Sequence, residues 1–396
     1  MGRNAKNHVK YGGSMPSKVS EHFDDYPIQT QAKHQILEGY LPAYLTALSK
    51  IVDGFHYIDG FAGQGSYNGQ PGSPVRAIEL LESNLWLHKS QLSFVEEKPK
   101  NFAELQKNLL PLIEGKNMAG SVIIEKGSFA QHVHTLLNLP IYDKRKIATF
   151  AFIDPCGVTG VRMEDIAAVL EKPFGEVLLF FNYDGMQRVL GSIQKGTMLP
   201  DIATEYFGDR YTVAELIDKM TNLGSHDKEE LITETLMGSL KNIAGARFVI
   251  PFRFGHKRVQ HGTSHYLIHI STHKLPFKIM KDVMRKAGQR EDSLFGSLFM
   301  EKDHIQPLLF ENKPDVDQEK NILMNMLQDG PQRVVELCSR VFSPDSMLAE
   351  FEYKTILKEF EATNKIKVFD KYNSQPYSAS IRRKGSLADD CWIHKI

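Results

Sequence analysis

Apolar positions along this chain recur with two different periods, and the change from one to the other marks out its elements. Ile36, Leu37, Tyr40, Leu41, Tyr44, Leu45 and Leu48 fall at helical spacing and predict a helix over about 29–50, which Pro42 is expected to kink or divide. Short apolar runs then alternate with helical patterns. Strands are predicted at 55–59, 91–96, 121–125, 149–154 and 176–182, with helices near 74–84, 99–110, 129–137 and 162–170 between them. Such alternation predicts parallel βαβ units with right-handed crossovers, and hence a doubly wound, mostly parallel α/β sheet. Further strands are expected at 246–254 and 264–271, and the mostly helical stretch 187–244 is expected to be an insertion or lid.

Beyond a charged, proline-containing linker near 310–317, helices are predicted at about 318–328, 332–342 and 349–363, followed by strands at 366–370, 378–384 and 391–394. Three short helices and a β-wing make a winged helix-turn-helix. The expected division is a polar lead-in over 1–28, an α/β domain over 29–310 and a winged-helix domain over 316–396. The chain has 396 residues, with 48 basic against 48 acidic, so net charge recruits neither nucleic acid nor membrane. Cys156, Cys338 and Cys391 are too few and too scattered for a disulfide framework or a cysteine zinc site. The apolar run at 177–181 is far shorter than the roughly 20 residues that span a bilayer, and the polar N-terminus has no signal core. After Met1-Gly2, Lys6 stands where a myristoylation signal has Ser or Thr. A cytoplasmic protein is expected.

The sharpest chemical signal is the apolar strand that ends in Asp59 and runs into Gly60-Phe61-Ala62-Gly63-Gln64-Gly65. Glycines there let a ligand approach the backbone at the carboxyl end of a strand, where such sheets bind nucleotides. The spacing is neither the dinucleotide Gly-x-Gly-x-x-Gly nor a P-loop, which leaves NAD and ATP as runners-up. At the second strand end stand Glu96 and Glu97, Glu96 the first choice for a pair of ribose hydroxyls. Ser128 in Gly127-Ser128-Phe129 suits an adenine edge or a plain helix cap. Asp154 in Asp154-Pro155-Cys156-Gly157 ends the fourth strand, where an acid orients or deprotonates an acceptor or simply forms a turn. Cys156 reads better as a packed thiol than as a nucleophile. Asn182 and Tyr183 after the fifth strand are candidates to line the acceptor pocket, Tyr183 by stacking.

His265, His269 and His273 share a strand segment with apolar residues between them and match no metal-ligand pattern, so no metal is expected. A basic run, Arg253, His256, Lys257 and Arg258, reads as a solvated loop in preference to a nucleic-acid contact. Lys354, Lys358, Lys365, Arg382, Arg383 and Lys384 are placed to touch phosphates, but Glu350, Glu352, Glu359 and Glu361 weaken that field, so a protein-binding winged helix is the alternative.

The 57–65 motif, Gly72-Ser73-Pro74, Phe152-Ile153-Asp154-Pro155, Tyr266-Leu267-Ile268 and the helix containing Met280-Lys281 together resemble the three-Cys-motif partner (TcmP) family over essentially the full chain. The resemblance implies a Rossmann-like methyltransferase fold joined to a winged helix, S-adenosylmethionine as cofactor, and a radical-SAM-like three-Cys-motif protein as partner. It supplies no substrate. Asp59–Gly65 is also similar to the first motif of nucleic-acid methyltransferases, whereas Asp154-Pro155-Cys156-Gly157 departs from the Asp/Asn-Pro-Pro-Tyr/Phe of amino-methyltransferases. Cytosine-C5 enzymes carry a Pro-Cys at this point, but the Glu-Asn-Val that accompanies it is absent here.

A methyltransferase acting on DNA, RNA or a nucleic-acid-associated substrate is therefore expected. Its cofactor site would be Asp59, Gly60, Phe61, Gly63, Gly65, Glu96 and Ser128, and its catalytic residues Asp154, Asn182 and Tyr183. The rivals are a non-catalytic adaptor of the same fold and, behind it, a metal-dependent nuclease.

Overall fold

The computed structural model describes residues 28–114, 122–143, 145–255, 263–289, 316–341, 348–377 and 387–396. Seven strands form one sheet: β1 (Gly54–Asp59), β2 (Ser90–Glu96), β3 (Val122–Lys126), β4 (Ile147–Ile153), β5 (Gly175–Phe181), β6 (Phe248–Gly255) and β7 (Thr263–Ser271). Their order is β3-β2-β1-β4-β5-β7-β6. Strands β1 to β5 pair in parallel, and β7 runs antiparallel to both neighbours. The chain winds outward from β1 to β3, then returns to β4 on the other side of β1. The crevice between the carboxyl ends of β1 and β4 is thus a topological switch point, where open α/β sheets bind ligands.

Strands β1, β2, β4 and β5 are buried along their whole length, which is why they read as continuous apolar runs rather than as alternating patterns. Successive side chains feed two cores. Phe55, Tyr57, Phe150, Phe152, Leu178 and Phe180 pack with α1 (Ile28–Leu48), α2 (Ser73–Ser83), α3 (Pro99–Ile113) and, on the far side of the chain, the helix Lys274–Gln289. Ile58, Ala151, Ile153, Val177, Leu179 and Phe181 pack on the other face, against α4 (Phe129–Leu136) and α5 (Met163–Leu170). Each buried aromatic ring contributes roughly 1.5–3 kcal/mol over an exposed one.

The packing corrects one expectation and decides another. Helix α1 is continuous through Pro42, because Tyr40, Leu41, Tyr44 and Leu45 on either side are all buried against the sheet and hold the axis together. The stretch 187–244 is helical, forming most of α6 (Tyr183–Gln194), α7 (Asp201–Phe207), α8 (Arg210–Lys219) and α9 (Ser225–Asn242). Of the two alternatives expected there, insertion or lid, the packing fits the first: Leu190, Tyr206, Leu216 and Leu236 are buried in the second core, so these helices cover one face of the sheet.

Helix α10 (Lys274–Gln289) packs on α1 and carries the C-terminal elements on its outer side. These are α11 (Val316–Met326), β8 (Gln332–Arg333), α12 (Val334–Val341), α13 (Glu350–Ala362), β9 (Ile366–Phe369) and β10 (Trp392–Lys395), with the strands in an antiparallel sheet of order β8-β10-β9. Arg285 Nε lies 3.0 Å from the Glu352 carboxylate, Lys278 pairs with Glu350, and the Glu350 N–H donates to Asp282 at 3.1 Å. The strand expected at 378–384, with Arg382, Arg383 and Lys384, lies outside the described residues, as do His256, Lys257, Arg258 and His261. Among the described residues, no helix is long and apolar enough to cross a membrane.

Candidate active site

A cavity of about 340 Å³ opens at the switch point, lined from the ends of β1, β2, β3 and β4 and from the first turns of α1. Asp59 closes β1 and is fully buried. One carboxylate oxygen accepts from the Phe61 N–H at 3.2 Å, the other from the Ser73 hydroxyl at 2.7 Å. Burial pushes its carboxyl up to about 7; those two hydrogen bonds pull the other way, and the charges of Asp154 and Glu96 add to the rise.

Glu96 ties the second strand to the glycine turn. Its Oε2 accepts from the Gly63 N–H at 2.8 Å, and its Oε1 from the Lys98 N–H at 2.8 Å and the Asn101 amide at 3.4 Å. Gly63 has φ +62°, and a Cβ on it would lie 2.6 Å from the Tyr67 hydroxyl, so two independent constraints require glycine there. Ser128 precedes α4 and its N–H donates to Gln131 Oε1 at 2.9 Å; it borders the cavity together with Gly127 and Phe129. Asp154 follows β4 with its side chain a quarter exposed and ion-pairs with Lys33, whose ammonium sits 3.9 Å from the centre of the Phe180 ring. Cys156 is an exposed free thiol on the cavity wall.

Gly60, Phe61, Gly63, Glu96, Ser128 and Asp154 therefore meet in one cavity, with Glu97 also on its wall. Asp59 is not on the wall but fully buried behind it, bonded to Phe61 and Ser73, which are. Gly65 is not on that wall; its carbonyl accepts from the Gly72 N–H at 2.8 Å and closes the loop that carries Tyr67. Asn182 and Tyr183 are not brought to the cavity either. Asn182 caps α6, its side-chain oxygen accepting from the Gly185 N–H at 2.8 Å. Tyr183 turns inward and meets Tyr266 edge to face, with centroids 6.1 Å apart. An Asn just ahead of a helical pattern is a familiar cap, and that was the signal for Asn182.

Three contributors from α1, more than 100 positions ahead of Asp154, have no local mark in the sequence: Thr30 and His34 line the cavity, and Lys33 ion-pairs with Asp154. His34 is held at about 3, chiefly by burial and further by Arg76 and Lys33, so it stands neutral beside the acids. Tyr67 had a readable signal. Asn68-Gly69, both at positive φ (47° and 75°), is the dipeptide of a tight hairpin, and it folds Tyr67 back over the glycine turn.

The histidines of β7 have structural partners. His265 stacks on Phe180 with centroids 4.6 Å apart, and His269 bonds the buried Glu176 at 3.0 Å. In the C-terminal elements Lys354 pairs with Glu350 at 2.9 Å and Asp389 at 2.6 Å.

No family model and no curated protein matches the chain. Solved structures are similar to it at the level of the α/β sheet. A Legionella pneumophila protein is 14% identical with a TM-score of 0.40, over 66% of this chain and 91% of its own. Trm1 from Pyrococcus horikoshii, solved with S-adenosyl-L-methionine, is 10% identical with a TM-score of 0.35, over 65% of this chain and 58% of its own. An O-methyltransferase from Bacillus cereus, in complex with SAH, is 12% identical with a TM-score of 0.31, over 64% and 86%.

Proposed function

We propose that the protein is an S-adenosylmethionine-dependent methyltransferase acting on a nucleic acid or a nucleic-acid-associated substrate. The observation that carries this is the convergence of the glycine turn that follows Asp59, of Glu96 and of Asp154, from three different strand ends, on one cavity at the switch point. The cavity is of the size that takes a small organic ligand. An ionised carboxylate offers about four acceptor positions, and three of those on Glu96 are used within the protein, which leaves one for a ribose hydroxyl. The Gly60–Gly63 backbone meets the cationic amino-acid end, with the carboxyl of Asp59 buried behind it and fixed by Ser73 and Phe61. Gly127 and Ser128 border the adenine.

When bound, the cofactor supplies an electrophilic methyl group on a sulfonium. The residues of this chain contribute mainly alignment. Asp154 accepts a hydrogen bond from the acceptor's N–H or O–H and takes its proton as the acceptor is methylated, while Lys33 holds the carboxylate in place. Cys156 has no part in this scheme. The order of α11, β8, α12, α13, β9 and β10 supports a winged helix, the family resemblance supports a radical-SAM-like three-Cys-motif partner, and the three free cysteines suit a cytoplasmic setting.

The test is calorimetric titration with S-adenosylmethionine and S-adenosylhomocysteine, followed by transfer of labelled methyl to DNA, RNA and the partner protein. Saturable binding that Asp59→Ala and Glu96→Ala abolish supports the proposal. A folded protein that binds neither ligand, with or without the partner, overturns it in favour of a non-catalytic adaptor. One observation favours that second reading: Asp154, the acceptor-side acid, is already paired with Lys33.

A further inference from the structure

Between Gly65 and Gly72 the chain makes an excursion and returns to its starting point, the Gly72 N–H donating to the Gly65 carbonyl at 2.8 Å. The excursion is a stiff hairpin. Ser66 pairs with Pro71 and Tyr67 with Gln70, the Ser66 hydroxyl donates to the Gln70 carbonyl at 3.1 Å, and Asn68-Gly69 makes the turn. It ends where Ser73 reaches Asp59, so the hairpin and the buried acid are fixed to each other.

Tyr67 is the side chain this hairpin delivers. Its hydroxyl occupies the space a Cβ on Gly63 would need, which anchors the tip of the ring on the glycine turn. The ring lines the cavity and is still 42% exposed, a large apolar surface presented to a ligand site. Tyr67 shares the cavity wall with Glu96 at the second strand end and with Asp154 and Cys156 after the fourth. In S-adenosylmethionine the sulfonium is bonded to the ribose 5′ carbon and carries the methyl group. A cofactor held at its ribose by Glu96, with its acceptor at Asp154, would carry its sulfonium between those two groups, in the cavity that Tyr67 also lines.

We propose that the face of Tyr67 recognises the positive charge of the cofactor's sulfonium, so that the cavity distinguishes the charged methyl donor from the neutral thioether left after transfer. An aromatic face attracts a cation and has no such attraction for a neutral sulfur. A site built this way retains the donor and releases the product. The inference rests on the cofactor assignment above and adds to it the residue that sets the preference.

The experiment measures the affinities of S-adenosylmethionine and S-adenosylhomocysteine for the wild-type protein, Tyr67→Phe and Tyr67→Leu, with thermal melting of each variant as the folding control. In Tyr67→Phe, which keeps the ring, the donor-to-product preference of the wild type is expected to persist. In Tyr67→Leu it is expected to fall by roughly five- to thirtyfold, through loss of donor affinity, with product affinity little changed. Equal weakening of both ligands in folded Tyr67→Leu overturns the inference and leaves Tyr67 a plain wall. Failure of the wild-type protein to bind either ligand is a separate result, and it removes the cofactor assignment along with this preference.

Discussion

The Glu96 carboxylate accepts a hydrogen bond from the Gly63 backbone N–H at 2.8 Å, across 33 positions of sequence. The second strand therefore holds the glycine turn of the first in shape before any ligand arrives. Asp59 works differently, since its own hydrogen bonds come from its own turn and from the start of α2. Substitution of Glu96 should then cost both binding and stability. In Glu96→Gln an amide N–H must face a backbone N–H at one of the two ends, so the turn loses a charge-assisted bond. We expect stability to fall by about 1.5–3 kcal/mol in urea denaturation and ligand affinity to fall at least tenfold. Lost affinity with unchanged stability would limit Glu96 to ligand contact.

Asp59 carries a pH signature. Burial raises its carboxyl from the ordinary 3.8 to about 7 in the folded protein, so between those values the folded protein holds a proton that the unfolded chain has released. Stability from this group therefore falls as pH rises from about 4 to 7, by at most about 1.4 kcal/mol per pH unit, and stays low above that. His34 and His56, each lowered to about 3 by burial, have the opposite sign: their contribution is present above 6.5 and is lost as pH falls toward 3. Asp59→Asn should consequently melt higher than wild type at pH 8, with a gain that vanishes near pH 4, while ligand binding is lost. Melting curves at pH 4, 6 and 8 decide it; a variant less stable than wild type at pH 8 would contradict the buried-carboxylate account.

The same residue gives a binding prediction. A ligand with a cationic amino group favours ionised Asp59, so at pH 6 binding should release a proton that is no longer released at pH 8. Calorimetry in two buffers of different ionisation enthalpy measures this directly. Equal heats in both buffers at pH 6 would place the ligand's cation elsewhere.

The strand ends were legible in the sequence because β1, β2 and β4 are buried on both faces, and a doubly buried strand is an uninterrupted apolar run that stops where the chain meets the cavity. Asp59, Glu96 and Asp154 are the first acids after such runs. Lys33 and His34 were not legible. They sit on the polar flank of a helical pattern, and only the packing of α1 across the sheet brings them to Asp154. Asn182 and Tyr183 stand at an equivalent strand end, yet α6 starts at once, so Asn182 serves the helix and Tyr183 is rotated into the core. Whether 187–244 is an insertion or a lid, both expected from the sequence, was not legible there, because helical spacing shows which side of a helix is apolar and not what it packs against.

Away from the cavity, Glu176 near the start of β5 is fully buried, accepts from the Tyr40 hydroxyl and lies 3.0 Å from His269 Nε2. Glu176→Ala strands both partners in a dry core. It should destabilise by about 2–6 kcal/mol, the cost of two unsatisfied buried polar groups. The strand runs away from this point toward the switch-point end, so ligand affinity measured well below the melting temperature should be unchanged. A selective loss of affinity would reveal coupling through α1, which carries both Tyr40 and Lys33.

The C-terminal elements are fastened to α10 by charge. Arg285 and Glu352 are each only 16% exposed, and Lys278 and Glu350 add a second pair about two turns away on α10. On α13, Glu350 and Glu352 are spent on this contact, and Lys354 is held by Glu350 and Asp389, so these three charged side chains of its first turns are paired within the protein. Reversing one side, Glu352→Arg, sets two guanidinium groups face to face and should lower stability by about 1–3 kcal/mol. Adding Arg285→Glu should restore much of the loss, with a coupling energy of about 0.5–3 kcal/mol in a double-mutant cycle. Additive losses would mean that the pair does not fasten α13. Retained affinity for duplex DNA in Lys354→Ala, with an unaltered salt dependence, would confirm that this lysine neutralises acids within the protein and contacts no phosphate.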